Sequence, residues 1–270
     1  MRLAIKHTTT YRYDPEAARV ALRLKLYPTH FGGQRPVRWS ISVNGEAPST
    51  PIVGPYGDEE SIWLCRAPVD QLEIVAEGVV ETVETAGVLT EWRMAARPNM
   101  MLRPTPLTEA NDAIQALAEA VAGVENGLDQ AHALSALVSE RIVYAPGETT
   151  AHTTAAEALA AGKGVCQDHA HVMIAAARSL GAPARYVSGY LSVHDGETTE
   201  GDTAETHGWA EVWVPALGWI GFDPANEVCP TERYVRLASG LDAADAAPIR
   251  GAVVGETEEV LHAEVEIHQQ

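Results

Sequence analysis

Residues 162–181, GKGVCQDHAHVMIAAARSLG, place one cysteine, Cys166, between a glycine-rich turn and an apolar, alanine-rich run. Gly162 and Gly164 allow the chain to turn sharply. From Cys166 to Leu180 there is no Gly or Pro, which predicts a helix that starts at the cysteine. Cys166, Ala170, Met173 and Ala177 then share one face. A thiol attacks only as its thiolate, and the partial positive charge at a helix N-terminus favours that form. Cys166 therefore reads either as a small buried hydrophobe or as a nucleophile at a helix start.

A cysteine nucleophile requires a base, and the base requires a group that orients it. There are ten histidines. His169 and His171 share the helix with Cys166; His171 falls on another face, and His169 would not meet the thiol across a cleft. His207 differs. In THGWAEVWVPALGWIGFDPAN (206–226) it lies on a predicted strand. There His207, Trp209, Glu211 and Trp213 point one way, while Gly208, Ala210, Val212 and Val214 point the other. Asp223 ends the next strand. Adjacent antiparallel strands would bring its carboxylate to the His207 ring in one class of register only. Val214 opposite Trp219 would set Asp223 against Ala210, on the side away from His207. An odd-length loop, or a bulge at Gly218, would set Asp223 opposite Trp209 and diagonal to His207, within side-chain reach. Taken singly, His207 also reads as an ordinary hydrogen-bonded strand histidine, and Asp223, before Pro224, as a turn former.

Working outward, VALRLKLYP (20–28) alternates Val20, Leu22, Leu24 and Leu26 with Ala21, Arg23 and Lys25, the pattern of a half-buried strand. PVRWSISV repeats it with Val37, Trp39, Ile41 and Val43 before an Asn44-Gly45 turn. QLEIVAEGVVETVE adds a further strand. Residues 1–96 thus form an N-terminal β-domain, a small sandwich or curled sheet. The proline-bearing stretch 97–112 is the connecting segment. Beyond it, TEANDAIQALAEAVAG and LDQAHALSALVSERIVY carry helical spacing, and Thr154-x-x-Glu157 is a capping box closed at Gly162. RYVSGYLSV, HGWAEVWVP, GWIGFDP and EEVLHAEVEI then return to strands. Helices before strands make residues 113–270 an α+β domain.

With 270 residues, 46% of them hydrophobic, the chain has room for a sizeable core or two. It carries 19 Lys and Arg against 37 Asp and Glu, a formal charge of −18. Such a surface repels phosphate backbones and anionic lipid, so neither nucleic acid nor membrane is an expected partner. The opening MRLAIKHTTTYRYD lacks the apolar region of a signal peptide, and no apolar run approaches the roughly 18 residues of a spanning helix. Three scattered cysteines, Cys65, Cys166 and Cys229, make no disulfide framework. The expectation is a cytoplasmic protein.

Four blocks now carry a resemblance. Gly-Val-Cys-Gln-Asp (164–168), the ARYVSGYL strand, His-Gly-Trp-Ala-Glu-Val-Trp (207–213) and Gly-Trp-Ile-Gly-Phe-Asp-Pro (218–224) resemble the bacterial transglutaminase-like superfamily, whose members are often described as cysteine proteases. The front strands HTTTYRYDPEAARVALRLKLYP resemble the N-terminal β-domain of that branch, and YVRLASGLDAADAAPIRG its C-terminal segment. The resemblance implies a papain-like core with the Cys at a helix N-terminus and the His and Asp on adjacent antiparallel strands. It puts Cys166 on the nucleophile, His207 on the base and Asp223 on the orienting acid. His169 departs from the aromatic or aliphatic residue more usual there, and would be a second ionisable group near the thiol.

What the resemblance implies chemically is attack of the thiolate on an amide carbonyl of a peptide or protein substrate, giving a thioester and a leaving amine. Water as acceptor makes a hydrolase; an amine makes a protein-glutamine gamma-glutamyltransferase. Hydrolysis is the expectation, and no cofactor or calcium loop is expected. The Cys166 backbone N–H is the natural first oxyanion donor, with Tyr144 a candidate for the second. Two readings from other classes remain. Cys166, His169, His171, His194 and His207 lack the paired spacing of a zinc site, and a catalytically silent peptide-binding protein would not need all three triad members.

Overall fold

The computed structural model describes residues 1–92, 94–193 and 203–270; His194 lies outside them. The N-terminal part supplies β1 (Arg2–Ala17), β2 (Arg19–Leu24), β3 (Gln34–Val43), β4 (Ile52–Val53), β5 (Glu59–Cys65) and β6 (Val69–Thr82). A 3-10 turn (Pro98–Leu102) leads into α1 (Asp112–Val121), α2 (Gly127–Arg141), β7 (Val143–Tyr144), α3 (Ala155–Ala161), β8 (Lys163–Gly164) and α4 (Cys166–Ser179). Strands β9 (Ala184–Val193), β10 (Thr203–Val214), β11 (Gly218–Phe222), β12 (Tyr234–Gly240), β13 (Ile249–Val254) and β14 (Glu258–Gln269) complete an α+β architecture.

An eight-stranded sheet runs in the order β12-β9-β10-β14-β1-β6-β3, with β11 also pairing β10. A four-stranded sheet, β13-β2-β5-β4, packs against it. The alternation read in residues 20–26 has its physical outcome here: Val20, Leu22, Leu24 and Leu26 are buried between the two sheets with Leu3 and Ile74. Val37 departs from the pattern. A register shift between Pro36 and Arg38 interrupts the β3–β6 ladder, and Val37 is left exposed.

The last two strands return to the N-terminal part. β14 pairs β1 from Asp14↔Glu258 to Leu3↔Gln269, and β13 pairs β2. The second core lies between α1–α4 and the β9–β10–β11 strands, where Ile114, Leu134, Val138, Met173, Ala210 and Val212 are buried. No helix among the described residues is long and apolar enough to cross a membrane.

Candidate active site

Residues 154–166 build the helix start. Thr154 and Glu157 form the reciprocal capping box on α3 (Glu157 N–H to Thr154 Oγ1, 3.2 Å; Thr154 N–H to Glu157 Oε2, 2.9 Å). Gly162 closes the helix at φ 64°, a left-handed position that suits glycine. The chain then forms β8, parallel to β7, and Cys166 opens α4 with Val165 as its N-cap residue. Asp168, in the first turn, accepts from the Val165 N–H (2.8 Å) and from the Thr149 hydroxyl (2.7 Å) through Oδ2. α4 is buried from Asp168 to Arg178, and Cys166 and Gln167 at its start are partly exposed.

β10 and β11 pair as Val214↔Gly218 and Ala210↔Phe222, joined by a three-residue loop. This is the odd-length loop the His–Asp contact requires, and continuing the ladder sets Asp223 opposite Trp209. The His207 Nε2–H donates to Asp223 Oδ2 at 2.6 Å, which leaves Nδ1 for the thiol. Cys166 lines the same cleft as this ring and is one of the groups that raise its pKa.

Two residues that the sequence did not single out complete the carboxylate's shell. Asn226 Nδ2 donates to Asp223 Oδ2 at 2.7 Å, and the Tyr234 hydroxyl donates at 2.8 Å. Oδ1 accepts the Ala225 N–H (3.1 Å). Asp223 is fully buried. Burial works to raise its pKa, but hydrogen bonds from His207, Asn226 and Tyr234 with the charge of His207 hold it below the ordinary carboxylate value. The Asp-x-x-Asn spacing of 223–226 is a turn signal in the sequence; Tyr234 carried none.

For His207, burial works against the charged ring. The hydrogen bonds and charges of Asp223 and Cys166 outweigh it and push the pKa up from 6.5 to about 10. Trp209 stacks beside the ring (6.4 Å, 24°), and Tyr234 meets it edge-on (5.8 Å). Since the folded value lies above the unfolded one, the imidazolium's contribution to stability is complete below about pH 6.5 and is lost as pH rises through about 10. An NMR titration of the His207 ring checks this; a midpoint near 6.5 would show that the Cys166–His207–Asp223 coupling is absent.

His169 lies three residues after the thiol on α4 and is not among the residues lining the cleft. It is buried, with Nδ1 2.9 Å from Val165 O and Nε2 2.9 Å from Ile142 O, so it ties the start of α4 to the end of α2. His171 is buried too, and its Nε2 accepts the Ala243 N–H at 3.0 Å. No group of three metal-ligating side chains converges among the described residues. Tyr144 is half-exposed on β7 and is not among the residues lining the cleft at Cys166.

That cleft has a volume of about 540 Å³ and receives both Cys166 and His207. Tyr186 forms part of its floor. A Cβ on Gly208 would lie 1.8 Å from the Tyr186 phenol oxygen, so the residue after His207 must lack a side chain. All three cysteines are free and partly exposed. Burial and the charge of Glu84 push the Cys229 thiol up, and the Cys65 thiol bonds Ala67 O. Iodoacetamide near neutral pH is therefore expected to alkylate Cys166 well ahead of the other two, as peptide mass mapping would show; equal labelling would argue against an activated thiol.

Residues 115–224 match the model of the transglutaminase-like superfamily, and residues 3–81 match the bacterial transglutaminase-like N-terminal region. An uncharacterized protein of Mycobacterium leprae is 30% identical over 278 residues, covering 98% of each chain. A protein-glutamine gamma-glutamyltransferase of Pseudomonas aeruginosa is 33% identical over 87 residues, 30% of this chain and 12% of that one. The crystal structure of a Cytophaga hutchinsonii protein, described as a candidate cysteine protease, has a TM-score of 0.77 at 20% identity. It covers 100% of this chain and 91% of that one, and shares the fold.

Proposed function

The chain belongs to the transglutaminase-like superfamily, and on that premise we propose that it is a cysteine-dependent hydrolase of amide or peptide bonds. Cys166 is the nucleophile, His207 the proton carrier and Asp223 the group that orients the ring. The observation that carries this reading is the 2.6 Å His207–Asp223 contact in the cleft that also holds the thiol of a helix start. Each proton then has a place to go. The thiolate sulfur attacks the carbonyl carbon, and the Cys166 N–H receives the oxyanion. The His207 proton passes to the leaving nitrogen as the C–N bond breaks. Water, deprotonated by His207, releases the acid from the thioester. Substrates are peptides or proteins, no metal takes part, and we place the protein in the cytoplasm.

Asp223→Asn keeps the shape and removes the charge that holds the ring tautomer. A fall of about 10²–10⁴ in kcat is expected, with a melting temperature that keeps the fold in evidence; near-normal kcat would remove Asp223 from the mechanism. Transamidation is the second reading, favoured by the short match to the gamma-glutamyltransferase. The deciding experiment offers amide-bearing peptides with and without a primary amine and follows products by mass. Cleaved or deamidated product insensitive to the amine supports hydrolysis. Dominant amine incorporation replaces it with transamidation, and no reaction under either condition leaves a peptide-binding protein without catalysis.

A further inference from the structure

The cleft at Cys166 has two walls from distant parts of the chain. One is the β1–β14 ribbon, which presents Thr9 and Tyr11 and their register partners Ala263 and Leu261. The other is the segment after β12, which presents Ala243, Ala244, Ala247, Pro248 and Ile249. Among the described residues, the lining contains no Asp, Glu, Lys or Arg. In a chain with 56 such residues (19 and 37), that is a local inversion of the surface chemistry. His7, on the same wall, is buried between Tyr190 Oη (2.9 Å) and Thr9 Oγ1 (3.0 Å), and burial pushes its pKa down to about 4, so it is neutral as well. Leu261, on the ribbon, is 54% exposed: an apolar side chain kept in water in the cleft that also holds the candidate nucleophile.

We infer that this slot takes the uncharged, apolar side chain flanking the scissile amide of an extended peptide, and that the N-terminal β-domain, through the β1–β14 ribbon, belongs to the substrate site. The inference deepens the hydrolase reading and rests on it for the position of the amide. An apolar side chain entering the slot buries its own surface together with that of Leu261, Ile249 and the alanines. A lysine, arginine, aspartate or glutamate side chain would surrender its hydration and find no Asp, Glu, Lys or Arg on the walls, and the one charged ring there, His207, is already paired with Asp223. The overall charge of −18 draws cationic peptides towards the molecule, but the slot selects against the charge that the surface attracts. Attraction and selection are separated in space.

The test uses the Cys166→Ala protein, which keeps the slot, and blocked hexapeptides that place Leu, Lys or Glu in turn on either side of a central glutamine. Calorimetry is expected to show the Leu peptide binding at least about tenfold more tightly than its Lys and Glu counterparts. Leu261→Glu should then move the preference towards the Lys peptide, and Leu261→Lys towards the Glu peptide. A change of shape alone would not produce opposite shifts. Ala263, the exposed residue two positions on, offers Ala263→Glu and Ala263→Lys as a second pair should either Leu261 variant fail to fold. Equal binding of all three peptides, or preferences unmoved by both charge pairs, overturns the inference. Neutral-selective binding without cleavage by the unaltered protein overturns the hydrolase reading and supports the slot; cleavage indifferent to charge overturns the slot and supports the hydrolase.

Discussion

Cys166→Ala is expected to lower amide turnover by about 10⁴–10⁶-fold, to the background of the assay, while leaving a folded protein. Among the described residues lining the cleft there is no other thiol, so nothing there substitutes for the lost sulfur. The fold survives because the change removes one atom from a partly exposed helix start and leaves the Thr149–Asp168–Val165 hydrogen bonds in place. The same substitution has an electrostatic consequence. Cys166 is one of the two groups that push the His207 ring up, and without it the pKa should fall towards 6.5. Turnover assays and the His207 titration, run on the same preparation, check both halves. Residual turnover above a few per cent, with the fold intact, would show that another residue carries the reaction.

The second large effect is on stability. Glu211 lies on the His207 face of β10, fully buried, and accepts Arg185 Nε at 2.6 Å and Arg236 Nε at 2.9 Å. Arg236 in turn meets Asp58 of the N-terminal part at 2.7 Å, and Asp58 accepts the Ser239 N–H (2.6 Å) and hydroxyl (2.7 Å). Trp219 and Trp92 lie against the two guanidinium groups, 4.1 and 4.9 Å away. Removing one partner from such a network leaves buried charge without compensation, which costs about 3–5 kcal/mol. Glu211→Gln is therefore expected to shift urea unfolding by that amount, or to give no folded protein at all. Asp58→Asn, at the end of the chain of charges, should be milder and supplies a folded reference. Burial works to raise the Glu211 pKa, but the two arginines hold it below the ordinary value. Its contribution is therefore present above the unfolded pKa and is lost as pH falls. A Glu211→Gln protein as stable as the parent would mean that the network contributes nothing net.

The elements legible in the sequence were those with local signatures. Alternation located β2, the Thr154–Glu157 spacing located the start of α3, and the absence of Gly or Pro after Cys166 located α4. The register of β10 with β11 could be reduced to a choice between two parities, because side chains alternate across a strand. β12 could not be read this way. YVRLASG is buried at every position, so it shows no alternation, and its Arg236 looks like a surface residue until Glu211 and Asp58 are placed around it. Tyr234 and Asn226 were missed for a related reason: their role is defined by a carboxylate that the fold brings to them. The pairing of β13 and β14 with β2 and β1 joins residues over two hundred positions apart, a distance at which no sequence period operates. Val37 shows the converse, a correct period cancelled by one bulge.

The β14–β1 pairing also orders events in time. Strand β1 has β6 on one edge early in synthesis, but its other edge has no partner until residues 258–269 have been made. Pairings of such long sequence separation form late, because a large loop must close before they give any return. Leu261 and Ala263 arrive with β14, so the wall of the cleft is assembled after the thiol, the imidazole and the carboxylate. A nascent chain thus carries its reactive sulfur without a finished place for a peptide beside it. Until that strand docks, the open edge of β1 is the part of the molecule most exposed to pairing with a stranger.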